Sequence, residues 1–267
     1  MYRQFFSLIL ILTTTLQIKA QHDTINQTDE NGLKQGYWKK EYPNGKLLYE
    51  GHFKDGKPAG TMKRYYETGE LRVIMQYDEN PDYVKARFFY NDGETAAEGT
   101  YFQEKKDSLW RYYSFYTGSL TSTEMYNKGV KHGMEKQYYP NGQVSEKTEW
   151  VNNARHGIWN QYFDDGTQKL KTFYSFNKVN GAYTLYWPNG NVFILGHYVD
   201  NKRHGNWTFF NDEGKKELEI KYNYGEAENE EELIQKHREF FKMVEENIGK
   251  FEDPTIEDIM PSGGEYY

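Results

Sequence analysis

The glycines of this 267-residue chain recur at a nearly fixed interval, and this periodicity limits the possible folds more than any other feature. Eight glycines are spaced by 24 residues, apart from one interval of 25 that contains an extra residue at 113–116. They are Gly45, Gly69, Gly93, Gly118, Gly142, Gly166, Gly190 and Gly214. A period of this length is typical of repeat proteins, in which each unit is one supersecondary element that stacks on its neighbours.

Two further sets of residues keep the same period. A second set of glycines opens the units, with Val84 and Ser108 in the place of glycine in two of them. These glycines are Gly36, Gly60, Gly133, Gly157, Gly181 and Gly205. A third set is aromatic in every unit, and comprises Phe53, Tyr77, Tyr101, Tyr126, Trp150, Tyr174, Tyr198 and Tyr222. Three periodic sets over eight units identify a tandem repeat that covers roughly residues 36–224.

Each unit has the sequence pattern of a β-hairpin. In the sixth unit, residues 157–163 predict a strand, residues 164–166 a turn on Asp-Asp-Gly, and residues 167–176 a returning strand. Residues 177–180 then predict a turn into the next unit. Short strands joined by tight turns pair antiparallel. We therefore predict a mainly β fold, an elongated and twisted single-layer antiparallel sheet of about eight stacked hairpins, or about sixteen strands.

Aromatic side chains supply much of the apolar material, since 37% of the residues are hydrophobic and 18% are aromatic. Counting outward from the turn between units places each aromatic of the third set opposite the third residue of the next unit. The predicted pairs are Phe53–Met62, Tyr101–Trp110, Trp150–Trp159, Tyr174–Tyr183 and Tyr198–Trp207, with weaker pairs at Tyr77–Ala86 and Tyr126–Glu135. Such cross-strand pairs would form a structural ladder that takes the place of a conventional aliphatic core.

The pattern Gly-x-Trp-x-x-Tyr-Tyr, followed by Pro-Asn-Gly, a returning strand and a Gly-Lys-x-x-Gly exit, resembles the variant MORN repeat (membrane occupation and recognition nexus). The best matches are residues 36–60, 133–157 and 181–205, and the resemblance extends over the whole array. It implies an elongated antiparallel sheet of stacked hairpins. It also implies a non-catalytic module for protein contacts or membrane contacts. Some bacterial proteins of this family are YwqK-type antitoxin-like proteins.

The two ends of the chain differ from the array. Residues 1–20 have the pattern of a secretory signal peptide, with Arg3, an apolar run and a cleavage residue at Ala20. Residues 21–35 predict a flexible segment. Residues 225–252 have an apolar face at helical spacing and predict a helix, and residues 253–267 predict a flexible tail. The helix either caps the open sheet edge or docks a partner, and the first alternative is favoured because repeat arrays need caps.

Charge and composition exclude several classes of function. The chain has no cysteine, so disulfides and thiolate chemistry are excluded. Residues 21–224 carry no net charge, whereas residues 225–267 carry a net charge of −9. A neutral array lacks the summed positive field that would recruit nucleic acid. His132, His156 and His204 precede opening glycines in register, but adjacent units repeat every two strands, too far apart to share one metal. We expect no catalytic residue, no metal and no cofactor.

Paired aromatics near the hairpin turns form either a binding surface or ordinary support for a thin sheet, and both alternatives stay open. Neighbouring residues in a strand point to opposite faces, so some of these rings face solvent unless both faces are covered. The candidate interaction surface comprises Tyr65, Tyr90, Tyr138, Tyr162, Tyr186 and Trp187. We therefore predict an exported, secreted or periplasmic, non-enzymatic scaffold that binds an unidentified protein partner through an aromatic-rich sheet face. The alternatives are a cell-surface module for glycan or lipid, with contact to a membrane surface, and an antitoxin-like protein.

Overall fold

The computed structural model describes residues 25–78, 80 and 82–228, and all of its regular structure is β. Twenty-one strands belong to one antiparallel sheet. They are β1 (Gln27–Thr28), β2 (Lys34–Glu41), β3 (Leu47–Lys54), β4 (Lys57–Tyr65), β5 (Leu71–Tyr77), β6 (Tyr83–Phe89), β7 (Thr95–Phe102), β8 (Lys105–Tyr113), β9 (Leu120–Asn127), β10 (Val130–Lys131), β11 (Gly133–Tyr138), β12 (Val144–Val151), β13 (Ala154–Tyr162), β14 (Gln168–Ser175), β15 (Lys178–Val179), β16 (Gly181–Tyr186), β17 (Val192–Val199), β18 (Lys202–Arg203), β19 (Gly205–Phe210), β20 (Lys216–Asn223) and β21 (Glu226–Ala227).

The chain runs through this sheet as one meander, in which each strand pairs with the strand before it and the strand after it. Three first strands of hairpins are interrupted by one residue, which separates β10 from β11, β15 from β16, and β18 from β19. When each interrupted strand is counted once, β2 to β20 form the eight hairpins that the glycine period predicts. The predicted fold class is therefore confirmed.

Two kinds of turn alternate along the meander. Most turns between units have two residues with positive φ, as at Asp55 and Gly56, with φ of 52° and 77°. This is the geometry of a type I′ turn, whose twist matches that of the strands. Turns within units are longer, and five residues separate β13 from β14. The loop between β8 and β9 has six residues, which accounts for the single glycine interval of 25.

The register of the aromatic ladder differs from the prediction. Each aromatic of the third set lies opposite the opening residue of its own unit, as Phe53 does opposite Gly36. Across the turn between units, Phe53 pairs with Pro58, whereas Met62 pairs with Gly51. The two-residue turns and a β-bulge after each of them shift the pairing relative to the simple count. Two predicted pairs still touch diagonally, with ring centroids 4.9 Å apart for Tyr101–Trp110 and 5.0 Å for Tyr198–Trp207.

Large side chains at the third position of a unit lie over small residues of the neighbouring strand. A Cβ at Gly99 would lie 2.3 Å from Cδ2 of Trp110, and a Cβ at Gly196 would lie 2.4 Å from Cδ2 of Trp207. Both tryptophans are almost fully buried. The glycines therefore leave room for an indole to lie flat on the backbone, and this packing stabilises the sheet without a second layer.

The ends of the array extend beyond the predicted limits. Residues 25–35, predicted as part of a flexible segment, include β1, which pairs with β2 through Gln27 and Gln35. The helix predicted from residue 225 does not begin there, because β21 pairs with β20 in the register of the earlier units. Short edge strands of this kind limit edge-to-edge association. The predicted signal peptide, the rest of the predicted helix and the predicted tail lie outside the described residues.

Candidate functional site

Strand alternation gives the sheet two different faces. The face here named the aromatic face carries the third and fifth residues of each unit together with the ladder aromatics. The opposite face, here named the polar face, carries the second, fourth and sixth residues. Along its middle runs an unbroken row of cross-strand neighbours, here named the central row. In order it comprises Lys39, Glu50, Lys63, Ile74, Arg87, Glu98, Arg111, Thr123, Lys136, Lys147, Asn160, Lys171, Thr184, Leu195, Thr208 and Glu219.

In the first half of the central row, acids lie between bases and also bind tyrosines. Glu50 accepts hydrogen bonds from the hydroxyls of Tyr37 at 2.6 Å and Tyr65 at 2.7 Å. The ammonium of Lys63 lies 3.6 Å from the same carboxylate. The hydrogen bond to Glu50, with burial, raises the pKa of Tyr37 to about 12. Burial and the same carboxylate raise the pKa of Tyr65 to about 12.

Glu98 repeats this arrangement two units further on. It lies 2.9 Å from the guanidinium of Arg87 and 4.0 Å from that of Arg111. It also accepts a hydrogen bond of 3.0 Å from the hydroxyl of Tyr113. Burial and this carboxylate raise the pKa of Tyr113. The polar face of the first four units therefore satisfies its own charges and tyrosine hydroxyls.

In the fifth and sixth units, lysine occupies the register of the central row that glutamate occupies in the first and third units. Lys147 and Lys171 hold the register of Glu50 and Glu98, and Lys136 lies directly opposite Lys147. Three tyrosines occupy the sixth positions beside them, where Tyr65 and Tyr113 stand in the first half. These residues are here named the lysine–tyrosine patch: Lys136, Lys147, Lys171, Tyr138, Tyr162 and Tyr186.

No side chain of the described residues completes this patch. In that part of the chain no acid forms an ion pair with its three lysines, and no group hydrogen-bonds its three tyrosine hydroxyls. Lys147 lies 5.0 Å from the ring centroid of Tyr162, a cation–π contact. Glu149, two residues beyond Lys147 on this face, accepts a hydrogen bond from the backbone N–H of Ile158 at 3.3 Å. Lys171 is exposed and the other five side chains are half-buried, so the patch reaches solvent.

Tyr90 and Trp187, predicted for the interaction surface, have a different environment. Tyr90 is buried, and its hydroxyl donates to the carbonyl oxygen of Tyr113 at 2.7 Å. Nε1 of Trp187 donates to the carbonyl oxygen of Phe210 at 3.1 Å, and its ring packs on Phe193. Both stand at the seventh position, and each bond joins residues 23 apart. The same bond is made by Tyr42, Tyr66 and Tyr139.

These seventh-position aromatics therefore staple each unit to the next. Asparagines of the turns add parallel bonds, since Nδ2 of Asn141 donates to the carbonyl oxygen of Asp164 at 2.7 Å, and Nδ2 of Asn189 to that of Asp212 at 2.7 Å. Of the six predicted surface residues, Tyr138, Tyr162 and Tyr186 lie together in the lysine–tyrosine patch. Tyr65 lies on the same face but is bound by Glu50. Lys147 and Lys171 were not predicted as site residues, although they lie 97 and 121 residues after Glu50, which is four and five periods of 24 plus the one extra residue.

Comparison with known proteins agrees with this geometry. The family described as MORN repeat variant matches residues 34–55, 59–79, 131–152 and 179–200. Four units of the array are therefore MORN repeats. The matched segments are the first, second, fifth and seventh units, and the other four units of the MORN array form the same hairpin.

Other comparisons add little to the MORN assignment. No curated protein is significantly similar to this chain. Among solved structures, 38% of this chain superposes on 20% of the chain in "Crystal Structure of TarM", with 14% identity and a TM-score of 0.27. At that score the likeness carries no argument about fold or function.

A group of charged side chains is buried on the aromatic face of the MORN array, where the fourth and fifth units meet. Nζ of Lys131 lies 2.8 Å from Glu124 and 3.0 Å from Glu135, and Nε1 of Trp150 also donates to Glu135. All three charged side chains are less than one-fifth exposed. Burial raises the pKa of Glu135. Burial opposes ionisation of Glu124 as well, but Lys131 and neighbouring tyrosines outweigh it and lower its pKa. The group satisfies itself and separates two apolar clusters of the described chain.

The histidines beside the opening glycines lie along the first strands of their hairpins rather than in the turns, with His156 inside β13 and His132 and His204 at the one-residue interruptions. The ring of His156 packs against Phe176 and that of His204 against Tyr224, each with centroids 4.4 Å apart. In residues 25–228 as described, no group of three or more His, Asp or Glu side chains is arranged to hold a metal ion. That same part of the chain holds no helix long and apolar enough to cross a membrane.

Proposed function

We propose that this chain is a non-enzymatic repeat scaffold that binds a protein partner through the lysine–tyrosine patch of its polar face. One observation carries the proposal. Tyr138, Tyr162 and Tyr186 stand at one register in three successive units, and within the described residues nothing binds their hydroxyls. Tyr65 and Tyr113, at that register in earlier units, are bound by glutamates. Tyrosine is enriched in protein interfaces because it combines an apolar ring with a polar tip.

The shape of the patch supports a protein partner. Successive units repeat every two strands, so the tyrosines are about 9–10 Å apart along a rigid sheet. Rigid aromatic anchors on regular secondary structure lose little conformational entropy on binding. MORN repeats occur generally in non-enzymatic proteins, which agrees with a role in holding partners rather than in turnover.

Site-specific photocrosslinking tests the proposal. Tyr162 is replaced by a photoreactive phenylalanine derivative, and the matched control carries the same derivative at Tyr65, on the same face and register. We expect a discrete protein adduct from position 162 in the cell of origin and at most a weak one from position 65. Equal labelling at both positions, or none at position 162, would contradict the proposal.

We also propose that the protein works outside the cytoplasm. The support is the charged, apolar and cleavable pattern of residues 1–20. Mass spectrometry of the N-terminus of the protein recovered from cell fractions tests this point. We expect a first residue at or near Gln21 in an envelope or secreted fraction. An intact Met1 on cytoplasmic protein would contradict it.

A further inference from the structure

The arrangement of charges in the central row points to the chemistry of the partner. In the first half, Lys39 and Lys63 flank Glu50 as cross-strand neighbours, and two arginines flank Glu98 in the same way. In the second half, Lys136 and Lys147 are directly opposite each other. Like charges in that position destabilise a sheet. In other units the same register holds Glu50 or Glu98. The patch has lysine there instead, and it therefore lacks the carboxylates that would balance its positive charges.

The three ammonium groups lie along a short line. Lys136 and Lys147 are on adjacent strands, and Lys171 is two strands beyond Lys147, with Asn160 between them. At 4.7–4.9 Å per strand the line is about 14 Å long. An extended peptide has side chains on one side every second residue, about 6–7 Å apart, so about five residues would present three carboxylates along it.

A short segment fits this surface better than a planar anionic surface. Glu50, Glu98 and Glu219 lie in the same row outside the patch, and a membrane pressed on the polar face would meet them too. Residues 21–224 together carry no net charge, so they have no strong long-range field to attract a lipid surface. A segment of a few residues would contact the lysines and avoid those glutamates.

We infer that the lysine–tyrosine patch binds an acidic, extended segment of a partner protein, an inference that rests on the proposed function and specifies its partner. Carboxylates of the segment pair with Lys136, Lys147 and Lys171. The hydroxyls of Tyr138, Tyr162 and Tyr186 hydrogen-bond its polar groups, and their rings cover its aliphatic carbons. Ammonium–carboxylate pairs on a partly exposed surface supply specificity and encounter rate.

Fluorescence anisotropy with labelled polyglutamate tests the inference on the purified full chain. The test variant is Lys147→Glu with Lys171→Glu. The matched control is Lys39→Glu with Lys63→Glu, which makes the same charge change on the same face. We expect the test pair to weaken binding about 10- to 100-fold and the control pair less than about 3-fold. If the test variant melts early, Lys147→Gln with Lys171→Gln replaces it, with an expected loss of about 5-fold or more.

Three outcomes would overturn the inference: no polyglutamate binding by the unaltered chain, equal losses in both double variants, or patch-dependent binding of phosphatidylserine vesicles without peptide binding. Photocrosslinking at position 162 separates these failures from failure of the proposed function. If the adduct persists in the Lys147→Glu, Lys171→Glu background, the patch binds a protein but not through an acidic segment. If no adduct forms at position 162 in an otherwise unaltered chain, the proposed function itself is contradicted.

Discussion

The two halves of the polar face share one backbone but differ in what they do with charge. In the first half, Glu50 and Glu98 bind the lysines, arginines and tyrosines around them. In the second half, Lys147 and Lys171 hold the same register, and the hydroxyls of the tyrosines beside them have no hydrogen-bond partner in the described residues. The shared fold therefore does not determine function by itself. The residue type at one register decides whether the charged groups and hydroxyls of the polar face pair with one another or are available to a partner.

The comparison assumes that both halves have the same packing on the aromatic face, and the largest expected effect tests this. Gly99→Ala and Gly196→Ala each place a methyl group inside the ring of a buried tryptophan, Trp110 or Trp207. We expect each substitution to lower the free energy of unfolding by about 2–3 kcal/mol, measured by denaturant titration. Thr184→Ala, on the polar face, is the control and should change it by less than about 0.5 kcal/mol. A large cost in one half alone would contradict a shared scaffold.

The buried charges where the fourth and fifth units meet give the next largest effect. Glu124→Gln removes a carboxylate whose ionised form the fold stabilises, so we expect a loss of about 2–3 kcal/mol at neutral pH. Glu135→Gln removes one whose ionised form burial destabilises, so the loss should be much smaller or absent. Thermal melts of both variants check this. A larger loss for Glu135→Gln than for Glu124→Gln would contradict the environments assigned here.

The pH dependence of these variants follows from the same shifts. Because the pKa of Glu135 is raised, the wild type gains stability as pH falls through that pKa toward 4.5, so the stability of Glu135→Gln should fall relative to the wild type over that window. Because the pKa of Glu124 is lowered, its contribution is lost as pH falls below 4.5, through its value in the folded protein.

A single substitution in the first half of the polar face should leave its tyrosine hydroxyls without their carboxylate partner. Glu50→Gln removes the carboxylate that binds Tyr37 and Tyr65, and we expect a loss of about 1–2 kcal/mol. The pKa of both tyrosines should fall from about 12 toward 10, as followed by NMR titration. With the pKa raised, the wild type loses stability as pH rises from 10 to about 12, and the variant should lose less. Unchanged tyrosine titration would show that Glu50 does not close this surface.

The smallest effect compares two tyrosines at the same register. Tyr65→Phe removes a hydroxyl that donates to Glu50 and should cost about 1 kcal/mol. Tyr162→Phe removes a hydroxyl that nothing in the described residues binds, and should change stability by less than about 0.5 kcal/mol. Chemical denaturation of the two variants in parallel checks the difference. Equal costs would place an intramolecular partner at Tyr162 as well.

The architecture could be predicted because it depends on glycine and on turn chemistry. Gly45 and its equivalents need a positive φ, which the sequence declares directly. The register could not be predicted, because it depends on the position of the turns between units. The turn into the seventh unit is at Phe176 and Asn177, whereas the residue types favour a turn at Asn177–Asn180, since an aromatic residue rarely adopts a φ such as the 47° of Phe176.

The site was predicted only in part, for a related reason. Tyr90 and the aromatic residue before it are similar residue types, so the sequence does not show which of the two rings is buried. The difference comes from hydrogen bonds between units, in which the hydroxyl of Tyr90 bonds a backbone carbonyl 23 residues further along the chain. Those bonds depend on the stacking of units, which strand alternation alone does not describe. Tyr138, Tyr162 and Tyr186, three of the residues predicted for the interaction surface, lie on one face. The lysines beside these tyrosines could not be predicted, because they become neighbours only through cross-strand pairing. Counting the turn residues had given the wrong register for that pairing.

Lysine footprinting tests the central claim, that the second half of the polar face is the binding surface, most directly. The chain is acetylated with and without saturating polyglutamate, and each lysine is quantified by mass spectrometry. We expect protection of Lys136, Lys147 and Lys171, with little change at Lys39 and Lys63 on the same face. Uniform protection of all five lysines, or protection of Lys39 and Lys63 alone, would contradict a binding surface in the second half.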